Sequence, residues 1–192
     1  MDEQALKDLT VLTGLREEDL QLLRETAPVT SEWADDIAKA FYDVLFSYEP
    51  TAKVFRPDER PMREKTLRAW YLDVVHARVS AQFWRTQWYV GLVHIARHVP
   101  NTYMLGMMSR VQQLFLYRCL RAFDVEKAER VFIAFKRLTD VIAGLIAEGY
   151  FQNYIQAMER VAGIRPSLVE RMMEMEIKRM LDEIKAQISA TS

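Results

Sequence analysis

Three observations predict an all-α fold. The 192 residues hold only six glycines and six prolines, and these fall between periodic segments, where helix punctuation belongs. Leu, Met, Ala, Arg and Glu, all good helix formers, are abundant between them. No stretch of useful length alternates apolar and polar residues as a half-buried strand does. Half of the chain is hydrophobic, enough for the core of one domain of ordinary size.

The helices follow in order. Gly14 ends a short first one. A second runs from about Arg16 to Thr26 and is expected to stop at Pro28. Ser31 is placed to cap a third, with Glu32, Asp35 and Asp36 in its first turn, where the helix dipole favours acids. Its residues Ile37, Phe41, Val44 and Leu45 follow the spacing of one buried face. Pro50 begins a short helical turn that runs to Phe55, and Arg56 to Pro61 reads as a loop. A helix is predicted from about Met62 to Val79, and another carries His94 and ends before Pro100. Pro100 starts the next, since its missing N–H is not needed there, and that helix runs to about Phe123. Asp124 caps a long helix from about Val125 to Val161, so apolar around Ile142 to Ile146 that burial on more than one side is expected. After Pro166, the capping-box pattern Ser167 to Glu170 opens a last helix with Val169, Met173, Ile177, Met180 and Ile184 in one stripe. The expected organisation is a domain over residues 1–165 and an amphipathic helix over 166–192.

Composition excludes several classes. The 26 basic and 27 acidic residues leave a net charge of −1, with no electrostatic footprint for nucleic acid or a membrane surface. No apolar run approaches the ~20 residues needed to span a bilayer. Met1 to Lys7 does not read as a secretory signal. One cysteine, Cys119, excludes an internal disulfide and reads as a small buried hydrophobe; a cytoplasmic location is expected.

The chemistry centres on His94, one of three histidines, near the end of an aromatic, apolar helix. His94 and His98 share a helix face, but no third zinc ligand accompanies them. Asp73-x-x-His76 is one weak half of a di-iron motif. There is no phosphate loop and no nucleophile elbow. A b-type haem needs one neutral imidazole and a flat apolar slot. Val90 and Gly91 lie one turn before His94, where a small residue would let a macrocycle approach the helix. On the residues alone, His94 stays open between an axial ligand and a core histidine. His98 reads as nearer the surface, with contact to a haem propionate or ligation of iron as its functional alternatives. His76 reads as a surface or packing residue, with a sixth iron ligand as its alternative.

The stretch Phe83 to Tyr103, with Val90-Gly91-x-x-His94 and then Pro100-x-x-Tyr103, resembles the globin-coupled sensor and protoglobin-like family. Thr13 to Leu20 is similar to the family's opening and Phe41-Tyr42 to its Phe-Tyr pair; Lys65-Thr66-Leu67-Arg68 resembles the start of its distal helix and Gly163 to Leu168 the end of its globin domain. The resemblance covers about residues 9 to 170. It implies a globin fold of the sensor type with an extra N-terminal helix and long C-terminal helices. It also implies haem b with His94 as proximal ligand and Tyr42 as distal hydrogen-bond donor. Thr66 becomes a second polar group, and Phe41, Phe55, Leu67, Trp70, Val90, Gly91, Tyr103 and Met107 surround the haem. Trp70 departs from smaller or polar residues in relatives, so a tighter distal pocket is expected. No output domain follows, which fits either a single-domain member or a sensor module of a longer protein.

The expected function is therefore binding or sensing of O2, CO or NO, with the signal passed through a homodimer of the C-terminal helices to a separate partner. An enzyme of the NO-dioxygenase or nitrite- and peroxide-reactive kind is the alternative. A haem-free globin-fold interaction module is the third reading.

Overall fold

The computed structural model describes residues 1–163 and 166–191. Among these residues there are helices and connecting turns and no strand. The helices are α1 (Glu3–Thr13), α2 (Glu17–Thr30), α3 (Ala34–Ser47), α4 (Glu49–Ala52), α5 (Arg60–Val75), α6 (Ala81–Ala96), α7 (Asn101–Ala122), α8 (Val125–Ala162) and α9 (Pro166–Thr191). The chain falls into two compact units, Met1–Phe151 and Gln152–Ser192. Arg165, where the sequence places the boundary, lies outside the described residues, as does Ile164 in the Gly163-to-Leu168 segment.

Local chemistry explains most helix ends. Three helices close with one pattern, in which the N–H of a left-handed residue and that of the next residue return to carbonyls of the last turn. Gly14 (φ 72°) closes α1, with Leu15 N donating to Thr10 O. Ala77 (φ 49°) closes α5, with Arg78 N donating to Asp73 O. His98 (φ 55°) closes α6, with Val99 N donating to His94 O at 2.9 Å. The stop after His94 is thus made at His98, two residues before Pro100. Asp124 caps α8 through Lys127 N at 2.9 Å, as expected.

Three expected boundaries are corrected. α5 begins at Arg60, inside the expected Arg56-to-Pro61 loop, and ends at Val75, short of Val79, because the chain turns at Ala77. α2 does not stop at Pro28 but runs to Thr30. The proline lies near the helix end, so little backbone pairing is lost, and Leu23, Ala27 and Thr30 continue the buried face. The Tyr71 hydroxyl then donates to Thr30 O at 2.8 Å, holding that last turn. Ser31 does not cap α3. Its backbone is helical, in a 3-10 turn over Ser31–Trp33, and its Oγ pairs with His76 Nε2 at 3.1 Å. An N-cap requires extended backbone.

The core of the first unit is built from α2, α3, α5, α7 and α8, with Phe83 of α6 at its edge. Phe115 and Phe135 stack at 3.7 Å and 7°, and Tyr71 and Trp33 meet Phe115 at 6.5 and 5.5 Å. Cys119 is buried in this core. Val141, Ile142, Ala143, Leu145 and Ile146 are all buried, so α8 is enclosed on several sides there, as its apolar density predicts. A smaller cluster joins Tyr42, Leu45 and Met107 to Phe41, Phe46, Phe55 and Leu67. In the second unit, Ile177, Met180 and Ile184 of the α9 stripe are each about half exposed. No described helix is long and apolar enough to cross a membrane.

One crossing positions the helix that carries His94. A Cβ on Gly91 would meet Ile146 O and Tyr150 N at 2.5 Å, both backbone of α8. A Cβ on Gly149 of α8 would in turn meet Trp88 O at 2.6 Å. The two glycines let α6 and α8 touch backbone to backbone, one turn from His94.

Candidate functional site

An apolar cavity of about 430 Å³ lies in the first unit, bordered by residues of both hydrophobic clusters. That size is usual for a small-molecule site. Each neighbouring helix contributes: Phe41, Tyr42 and Leu45 from α3, Leu67 and Trp70 from α5, Val90, Val93 and His94 from α6, Tyr103, Met107 and Val111 from α7, and Ile146 from α8. Phe55, just after α4, completes one wall.

His94 reaches the cavity from the last turn of α6. Its Nδ1 is enclosed and has no hydrogen-bond partner. Burial holds its pKa below the ordinary histidine value, favouring the neutral imidazole, the form that ligates metals. Buried polar atoms normally find partners, so an enclosed imidazole nitrogen without one is unusual.

Tyr42 enters from α3 and is 7% exposed. Phe41 and Phe55 meet its ring edge-on at 5.1 and 6.1 Å and fix its position. Burial pushes the phenol up to about 12; Glu64 adds to the rise and Arg97 opposes it. The group therefore keeps its proton through the physiological range. No described residue hydrogen-bonds its hydroxyl.

Nine of the eleven expected site residues line the cavity: Phe41, Tyr42, Phe55, Leu67, Trp70, Val90, His94, Tyr103 and Met107. Two do not. Thr66 is exposed, and its hydroxyl is used by Met62 O of its own helix at 3.0 Å. A threonine on a helix commonly turns back to the preceding carbonyl in this way. Gly91 faces the α8 backbone, so its missing side chain serves helix packing and not the approach of a macrocycle.

The other two histidines stand apart. His76 is paired with Ser31, and His98 is exposed at the α6 stop; neither lines the cavity. Among the described residues, no three His, Cys, Asp or Glu side chains group as metal donors.

Several lining residues escape the sequence reading. Gln87, 3% exposed, accepts from Trp70 Nε1 at 3.2 Å and donates to Phe83 O at 3.3 Å. It lies two turns before His94, a spacing that marks the same face, but an amide gives no other signal. Through this bond Trp70 joins α5 to α6 across one wall of the cavity. Arg63 and Arg97 also line the cavity, and nothing local in the sequence predicts it. A second, polar cleft on α3 and α5 is lined by groups that pair with one another, such as Arg68 with Asp35 at 2.6 Å and Arg60 with Glu64 at 2.8 Å.

The residues fit a haem: an apolar cavity, one neutral imidazole with an unpartnered nitrogen, and a protonated phenol on another helix. Comparisons agree at the level of fold and family. The structure is similar to the globin domain of the Geobacter sulfurreducens globin-coupled sensor, with a TM-score of 0.69 and 19% identity over 75% of this chain and 96% of that one. At that identity the likeness carries the fold alone, which is the globin fold. No curated protein matches the sequence. The protoglobin family model matches residues 2–156, most of the chain, and the chain therefore belongs to the protoglobin family.

Proposed function

We propose that the chain is a haem-binding globin for diatomic gases, with His94 as proximal ligand and Tyr42 as distal donor. One observation carries the reading: an imidazole with an orphaned nitrogen and a partnerless phenol line the same apolar cavity from different helices. Haem b held there would supply an iron able to bind O2, CO or NO. Tyr42 acts as a donor only, since its raised pKa keeps the proton on oxygen. Its O–H favours a gas that gains partial negative charge on binding, O2 above CO, by ~1 kcal/mol or more in a dry pocket. The Phe41 and Phe55 rings keep that hydroxyl in place.

A sensing role rests on the C-terminal unit. The half-exposed stripe of Ile177, Met180 and Ile184 at helical spacing supports pairing of two chains through α9, which would carry a signal to a separate partner.

The test is the absorption spectrum of ferric, ferrous and CO-bound protein, for wild type and His94→Ala. A Soret band whose axial ligation changes in the variant is expected. Unchanged ligation in His94→Ala removes His94 from its role. A chain that develops no Soret band with haemin refutes the haem reading and leaves a haem-free interaction module.

A further inference from the structure

Tyr42 and Trp70 both line the cavity, and both carry a hydrogen-bond donor. The two donors are held differently. The Tyr42 hydroxyl has no partner among the described residues. The Trp70 indole N–H donates to Gln87 Oε1 at 3.2 Å. Trp70 stands on α5, one turn after Leu67, which packs in the cluster of Tyr42 and Phe55. Gln87 stands on α6, two turns before His94, and is 3% exposed. The bond therefore runs from the helix beside Tyr42 to the helix that carries His94.

The Gln87 amide is fixed at both ends. Its Nε2 donates to Phe83 O at 3.3 Å while its Oε1 accepts from the indole. Exchanging the two amide atoms would set N–H against N–H and oxygen against oxygen, so the amide cannot turn over. A leucine or methionine would fill this place in an apolar wall with no polar group to desolvate. The glutamine instead gives the indole its acceptor. The threonines on the wall turn their hydroxyls to backbone carbonyls, Thr51 to Leu45 O at 2.6 Å and Thr86 to Gln82 O at 2.9 Å. Without Gln87, the Trp70 N–H would be left at the edge of an apolar space, where a buried donor lacking a partner costs free energy. A ligand in that space able to accept a hydrogen bond would relieve the cost.

We propose that Gln87 is a specificity-determining residue of the cavity, which holds the Trp70 indole N–H away from a bound gas and leaves the distal role to Tyr42. The proposal rests on the haem reading, which supplies the gas. With the indole released, a gas that gains negative charge on binding would be held by two hydrogen bonds in place of one. Gln87 thus keeps the preference for O2 over CO at the level one donor sets, and release of O2 stays correspondingly fast.

The test uses the full chain in two states. In the haem-free protein, the indole N–H resonance of Trp70 is identified by its loss in Trp70→Phe. It is expected to move upfield in Gln87→Met, a variant of similar length without the amide. A resonance that stays in place overturns the proposal, because the bond to Gln87 is then not made. In the haem-loaded, reduced protein, O2 and CO release are followed by stopped flow. Gln87→Met is expected to slow O2 release about fivefold relative to CO, the factor for one added neutral hydrogen bond. Gln87→Leu, which removes the amide with a different shape, is expected to do the same. Adding Trp70→Phe to Gln87→Met takes the gain away. A bond that only ties α5 to α6 gives another result: a loosened wall alters release of both gases alike, and that overturns the proposal. So does a slowing that survives in the double variant. A normal Soret band with unchanged O2 release in Gln87→Met refutes this role alone, whereas no Soret band with haemin refutes the haem reading and the role with it.

Discussion

An alanine at position 91 would place its Cβ 2.5 Å from both Ile146 O and Tyr150 N, and 2.8 Å from the Gly149 carbonyl carbon. All three atoms belong to the α8 backbone, so no side chain can swing aside. Ordinary contact begins at 3.4 Å, so α6 and α8 must part by about 0.9 Å. A Cβ added at Gly149 would likewise meet Trp88 O at 2.6 Å, so the crossing offers no slack from the other side. Overpacking of this kind costs about 1–3 kcal/mol. In a chain of this size it lowers Tm by roughly 3–10 °C. His94 lies one turn along α6 and moves with the helix, so haemin affinity falls as well. The assay is thermal unfolding of Gly91→Ala by circular dichroism, in the absence and presence of haemin. If Gly91 instead faced the cofactor, the haemin-free chain would unfold at the wild-type temperature and only the loaded chain would suffer. That result would refute the packing argument.

Three further outcomes are expected. His94→Leu removes the orphaned Nδ1 while filling its space, so the haemin-free chain gains about 1 kcal/mol in denaturant unfolding but loses its Soret band. Because burial lowers the His94 pKa, its contribution to stability is complete above 6.5 and is lost as pH falls from there toward the depressed folded value. The leucine variant lacks that part of the pH dependence, and a less stable variant contradicts the reasoning. Tyr42→Phe breaks no hydrogen bond within the protein, so stability stays within about 0.5 kcal/mol. O2 dissociation from the haem-loaded variant speeds up about fivefold, for a lost bond of ~1 kcal/mol; an unchanged off-rate removes Tyr42 from the distal role. His98→Gly relieves an exposed residue held at φ 55°, and Tm rises by roughly 1–3 °C, for about 0.5–1 kcal/mol. A lower Tm would show that the His98 side chain contributes more than its backbone costs.

Periodicity and punctuation determined the helices, because a helix that buries one face must repeat its apolar residues along that face. α3, α6, α7 and α8 are legible for that reason, and so are Gly14 as the end of α1 and Asp124 as the start of α8. The placement of His94, Tyr42, Phe41 and Phe55 around one space was legible only through motif resemblance, since no spacing within α3 or α6 says that the two helices face each other. Tertiary structure alone decided three matters. It turned Gly91 to the α8 backbone, because a glycine has no side chain to declare which neighbour it admits. It carried α2 through Pro28, because packing of Leu23, Ala27 and Thr30 outweighs the loss of little backbone pairing. It drew Arg63, Arg97 and Glu59 together at the cavity rim from separate parts of the chain. Sequence patterns record what a residue does within its own helix. Contacts between helices depend on crossing geometry, which is settled only when the whole core closes.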